Sequence, residues 1–219
     1  MIGNIFDQIK LYGPGFLEAS WMVFGITILT IAVSWVCGLV AALAQRSEWK
    51  AVRMVAGFYI WFIRGTPTLI QVFIIYFGLP QIGVRLSPFT AGVIALGINS
   101  GAYVAEIVRG GLTAIPRGQM ESALALGFSP AETMRTIILP QVFRIVLPSI
   151  TNEAISTLKN TSLLSTITVV ELTLYAQTLI ASTFRPFEFY IAVAVIYLVL
   201  TTILTFVASW LERRYANLG

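Results

Sequence analysis

Five apolar stretches of about 20 residues, each poor in charge, constrain this chain more than any other feature. They cover about 20–44, 54–79, 88–108, 145–167 and 189–210. Of its 219 residues, 57% are hydrophobic and only 11% charged, and the mean hydropathy is +0.84. Ordinary soluble domains are about one-quarter charged. A water-soluble globule of this length would have a large surface to solvate and could not hide so much apolar side chain. The pattern predicts an all-α integral membrane fold, with five transmembrane helices forming one domain over 1–219. Ahead of the first span, Ile2, Ile5, Phe6 and Ile9 fall at helical spacing, and Gly13-Pro14-Gly15 is expected to break that short amphipathic segment. The segment lacks the basic start and small-residue cleavage site of a signal peptide.

Composition removes several chemistries. One Cys cannot build a disulfide framework. With no His, a zinc site is not expected and imidazole acid–base mechanisms are excluded. The net charge is +4, yet no basic run interleaved with aromatics occurs, so nucleic acid is not an expected partner. The basic excess fits the cytoplasmic loops of a membrane protein. With the N-terminus outside, the inner segments hold nine basic residues: Arg46, Lys50, Arg53, Arg109, Arg117, Arg135, Arg144, Arg213 and Arg214. The outer segments hold three: Lys10, Arg85 and Arg185. That bias predicts an outer N-terminus and an inner C-terminus. Trp21, Trp49, Trp210 and Tyr215 suit interfacial anchors. No repeat of 20–50 residues is evident.

The inner loop over about 109–144 is too long for a turn and too polar to span. Propensity predicts a helix over 119–126 after a turn at Pro116. Gly127 stands where a helix C-terminus wants a left-handed residue. Ser129, Pro130 and Glu132 read as N-cap, first turn and capping-box partner of a second helix, expected to run to Leu139 and stop at Pro140. The small surface around Ala123 and Gly127 would let another backbone approach closely.

Glu121-Ser122-Ala123, Gly127, Ile137, Leu139 and Pro140 reproduce the spacing of the EAA loop of bacterial ABC importer permeases, Ser122 being the sole departure. Three further segments resemble the polar amino-acid uptake subfamily of those permeases. They are Arg64-Gly65-Thr66-Pro67 with Leu69 and Gln71, the run over 103–111, and Leu158-Lys159-Asn160-Thr161-Ser162-Leu163. The resemblance extends over nearly the whole chain. It implies a MetI-like permease fold in the bacterial inner membrane, with a cytoplasmic coupling helix in which Glu121, Ser122, Ala123 and Gly127 contact a separate ABC ATPase dimer. It also implies a second permease chain (identical or paralogous), an extracytoplasmic amino-acid-binding protein, an amino-acid substrate and surrounding membrane lipid. ATP and Mg would belong to the ATPase: no Gly-Lys dipeptide is present to build a phosphate loop here. The chain itself is expected to be non-catalytic, with no cofactor or metal of its own.

Ionisable groups inside spans are functional-site hypotheses by default. Glu106 and Arg109, three residues apart at a helix end, are expected to pair. Arg64 could snorkel to the cytoplasm or serve at a subunit interface. Glu153, Ser156 and Asn160 share one helix face, with no basic residue one turn from Glu153. That face should line protein or an aqueous cavity, either through an interhelical hydrogen bond or an ion pair with Lys159 of another subunit, or as a site where Glu153 binds a cationic group. The second reading points to a basic amino acid such as arginine, lysine or histidine. Asn160, Thr161 and Ser162 could hold an amino acid's carboxylate and amine, or bond between helices. Asn99 and Tyr103 are expected to face the pathway, while Gly92, Gly97 and Gly101 favour close helix approach. The alternatives are a permease for glutamine or another neutral amino acid, with Glu153 architectural, and an ion channel subunit, which would have no use for the coupling loop.

Overall fold

The computed structural model describes residues 5–216, and side chains over 10–214. Ile2, and the side chains of Ile5, Phe6, Ile9 and Tyr215, lie outside the described residues. Among those described, every regular element is helical. α1 covers Ile5–Gln45 and α2 Lys50–Gly65. α3, Thr68–Phe73, continues through a π turn and a 3-10 turn to Ile82. α4 is Pro88–Ala114 and α5 Arg117–Ala125. α6, Pro130–Thr133, runs through a π turn into α7, Leu139–Asn160, which ends in a 3-10 segment, Thr161–Ile167. α8 is Leu172–Thr183 and α9 Pro186–Ala216. α1, α4 and α9 are each long and apolar enough to cross a membrane, and two bent pairs raise the number of spans to as many as five.

The helices alternate in direction, as consecutive spans must. α1 and α4 run parallel: a Cβ on Gly97 would collide with Val33, and one on Gly101 would stand 2.7 Å from Cys37 Cβ. α7 runs against α4, with Gly92 packed on Leu164, Ser100 on Thr157 and Gly111 on Val146. It also runs against α9, since Thr161 meets Tyr197 while Thr151 meets Glu212. Small residues on α4 let its neighbours come within backbone distance, which replaces hydrophobic driving force inside a bilayer.

The second apolar run is not one straight span. The chain turns by 114° between α2 and α3. Pro67 has no N–H and forces Thr66 into an extended conformation (φ −121°, ψ 148°), so helix bonding stops there. Gln71 repairs the break. Its Nε2 donates to the Ile63 carbonyl (2.8 Å), the Thr66 carbonyl (3.1 Å) and Thr66 Oγ1 (2.8 Å). Its Oε1 accepts from Asn99 Nδ2 at 2.9 Å. Non-helical backbone at this depth is tolerated only when its polar groups are satisfied by protein.

Two prolines expected to end helices do not. α1 continues through Gly13-Pro14-Gly15 because packing outweighs the lost bond: Tyr12 meets Phe189 edge-on at 5.3 Å, and Phe16 meets Tyr175 at 5.0 Å. Pro140 follows the π turn Met134–Ile138, whose wider ring accommodates a residue lacking its N–H, so the helix runs on into α7.

Candidate coupling and translocation sites

α5 and α6 form the expected hairpin between α4 and α7. α5 starts at Arg117, two residues earlier than expected, and closes with two reversed bonds: Phe128 N to the Ala123 carbonyl (3.1 Å) and Gly127 N to the Leu124 carbonyl (3.0 Å). Gly127 has φ +90°, and a Cβ there would meet nothing within 4 Å. The glycine is needed for its backbone angle, not for close approach. The capping box forms in full: Glu132 N donates to Ser129 Oγ (3.3 Å) and Ser129 N to Glu132 Oε2 (2.9 Å). The Ser129 hydroxyl and amide together hold the Glu132 carboxyl below the ordinary carboxylate range. Ser129→Ala should lower stability by about 1 kcal/mol. A thermal unfolding curve of the purified chain matching the native one would show the cap to be idle.

Ala123 is 2% exposed, packed inside the hairpin, so its expected contact with an ATPase is corrected: its small size serves α5 against α6. Glu121 and Ser122 are exposed. So are Leu124, Leu126 and Phe128, an apolar knob that sequence reading missed; its signal was three large apolar residues in a solvated loop.

Glu106 and Arg109 pair as expected, by two bonds of 2.8 and 2.9 Å. Arg64 joins them, Nη1 lying 3.0 Å from Glu106 Oε2. Its guanidinium also sits 5.7 Å from the centre of the half-buried Tyr103 ring. Arg64 therefore clamps the end of α2 to α4 beside the break.

Glu153 borders a cavity of about 270 Å³ between α1, α4, α7 and α9. Ser34, Trp35, Ser100 and Thr151 supply the other polar groups on its wall, which is otherwise apolar. Ser100 on the same wall has its Oγ 3.3 Å from Thr157 Oγ1. Among the described residues no Lys or Arg forms an ion pair with it. A second face of α7 carries Ser149, Asn152, Ser156 and Lys159, at i, i+3, i+7 and i+10; Ser156 is half-buried and the other three are exposed. A polar, charged stripe at membrane depth must face protein or water. Ser156 thus belongs with Asn152 and Lys159 rather than with Glu153. Asn152 and Lys159 could have been found by testing the face one residue round.

Two further expectations are corrected. Asn99 is 4% exposed and committed to Gln71, so it supports the α2–α3 break instead of facing a pathway. Thr161 is fully buried; its hydroxyl donates to the Leu158 carbonyl and lies 3.2 Å from Tyr197 Oη. Ser162 Oγ donates to the Lys159 carbonyl, and Asn160 is half-buried at the end of α7.

Parallel α1 and α4, a broken second span and a capped hairpin between α4 and α7 are the frame of a multi-helix membrane protein. The chain belongs to the family of binding-protein-dependent transport system inner membrane components, whose model matches residues 34–217, and it is an ABC importer permease. It is 44% identical over 203 residues to the glutamine transport system permease protein GlnP of Escherichia coli (strain K12), covering 92% of this chain and 93% of that one. It is 37% identical over 202 residues to the arginine transport system permease protein ArtQ of Bacillus subtilis (strain 168), covering 92% of each. A crystal structure of an amino acid ABC transporter with histidines contains a chain 42% identical to this one, superposing with a TM-score of 0.91 over 98% of this chain and 100% of that one. The family places the chain in the bacterial inner membrane as a multi-pass protein.

Proposed function

We propose that this permease forms the membrane pathway of an ATP-driven importer for polar amino acids, and that basic amino acids are its substrates. The observation that carries the basic reading is Glu153: a half-buried carboxylate, with no cation paired to it among the described residues, on the wall of a cavity inside the helix bundle. Such a group is costly unless a positive partner arrives, and a guanidinium or ammonium carried by a substrate is such a partner. The amino acids named for the relatives support the polar class.

In this reading the N-terminus lies outside and the C-terminus inside, which gathers Arg46, Lys50, Arg53, Arg109 and Arg117 on the cytoplasmic side. The α5–α6 hairpin docks on an ABC ATPase dimer that holds ATP and Mg. Glu121, Ser122 and the Leu124–Leu126–Phe128 knob make the contact. The stripe of Ser149, Asn152, Ser156 and Lys159 faces the pathway against a second permease chain. An extracytoplasmic binding protein delivers the amino acid. Because α6 and α7 are one continuous helix, movement of the hairpin is transmitted directly to Glu153 and the stripe. A substrate biases that movement only by binding one state better than the other.

The test is ATP hydrolysis by the permease–ATPase complex in lipid, measured with arginine, lysine, histidine, glutamine and glutamate. Basic amino acids should change turnover. Glu153→Gln should weaken that response at least tenfold in half-saturating concentration while the complex stays assembled. A second reading, glutamine import with Glu153 architectural, is favoured by the 44% identical relative. It prevails if glutamine works equally well and Glu153→Gln changes only stability. Loss of copurification with any ATPase would overturn the importer reading itself.

A further inference from the structure

A separate cavity of about 830 Å³ opens where α1 ends, α2 begins and α4 ends. Arg46, Lys50, Arg53, Arg109 and Arg117 line it, and none of the described residues on its wall carries a carboxylate. Arg109 is committed to Glu106, and Arg53 donates to the Ser47 carbonyl at 3.3 Å. Arg46, Lys50 and Arg117 form no ion pair among the described residues. Gln45, also on the wall, has a buried Oε1 that accepts no hydrogen bond from the described residues. Ala42, Met54, Leu112 and Ile115 supply an apolar flank. Trp49, 76% exposed, stands in the same α1–α2 connection, as an interfacial anchor does.

From this arrangement we infer that the cavity is a binding site for the headgroup of an anionic phospholipid, of which phosphatidylglycerol fits best. Like charges crowded around one space repel unless an anion neutralises them. The cavity lies at the ends of membrane-crossing segments, the depth at which lipid phosphates sit, and basic pockets between helix ends hold such phosphates. The phosphodiester would answer Arg46, Lys50 and Arg117. A glycerol hydroxyl supplies the donor that Gln45 Oε1 lacks, and the apolar flank receives the start of the acyl chains. The inference does not depend on which amino acid is carried.

The permease–ATPase complex is placed in nanodiscs of phosphatidylcholine with and without phosphatidylglycerol, and retained lipid is counted by native mass spectrometry after release into detergent. Phosphatidylglycerol should be retained over phosphatidylcholine. Arg46→Gln together with Lys50→Gln should weaken retention about thirtyfold. The charge-preserving pair Arg46→Lys and Lys50→Arg should restore it, which separates lost charge from lost fold. Equal retention by native chain and neutral variant overturns the site. So does displacement of the lipid by millimolar inorganic phosphate alone, which would mark a site for free anions. A neutral variant that keeps the lipid but sheds the ATPase would assign the cations to an acidic protein surface and also overturn it.

Discussion

Gly101→Leu is expected to abolish recovery of a monodisperse permease, at a cost of about 3 kcal/mol in the α1–α4 contact. Even the first carbon of the new side chain has no room. It would stand 2.7 Å from Cys37 Cβ, 3.0 Å from Tyr59 Oη and 3.3 Å from the backbone nitrogen of Gly38. Gly38 answers from the other side, where a Cβ would lie 2.9 Å from the Gly101 carbonyl. The two backbones therefore meet with nothing between them, and neither can yield without moving a helix. Tyr59 is held in place too, its hydroxyl donating to the Ile98 carbonyl at 2.6 Å. The measurement is size-exclusion chromatography of the detergent-extracted protein before and after a thermal ramp. Gly57→Leu is the control, since a Cβ at Gly57 meets nothing within 4 Å. If Gly101→Leu and Gly57→Leu behave alike, the close crossing does not hold the bundle together.

Glu171→Ala should be about as damaging, roughly 3 kcal/mol. Glu171 is fully buried at the start of α8. Its carboxylate accepts from Thr173 N (2.9 Å), Leu174 N (3.0 Å) and Tyr197 Oη (2.9 Å). Removing it strips α8 of its cap and leaves three part-buried donors without that acceptor. Tyr197 carries the effect further, because its hydroxyl also meets Thr161 in the segment that ends α7. One carboxylate therefore ties three elements. Glu171→Gln keeps one acceptor oxygen and should cost about 1 kcal/mol. Tyr197→Phe in the Glu171→Ala background should cost less than it does alone, since the partner is already gone. Thermal unfolding of the four variants gives the comparison. Additive losses would dissolve the network into independent contacts.

Features that arise between near neighbours in the chain were legible in the sequence. Apolar runs predict membrane helices because a bilayer leaves a run of that length no other stable form. The hairpin was readable residue by residue: Ser129 and Glu132 stand three apart and cap one another, and Gly127 takes the left-handed angle that its position demands. The Glu106–Arg109 pair is a single helical turn. Glu153 was found because an acid amid apolar residues is costly wherever the chain goes.

Contacts between distant residues decided the rest. Pro67 marks where the run over 54–79 breaks, but not the 114° by which it turns, which is set with Gln71 anchored to Asn99, 28 residues away. Pro14 reads as a stop until Tyr175 and Phe189, more than 150 residues further on, supply the packing that carries the helix through. Glu171 looks like a loop acid until α9 brings Tyr197 over it. Which face of α7 meets the cavity is likewise set by where α1, α4 and α9 lie, so Ser156 parts company with Glu153. The physical division is one of range. Solvent preference and backbone geometry act within a turn or a span and are written into the residues themselves. Burial and hydrogen-bond satisfaction across the bundle exist only once the helices have met.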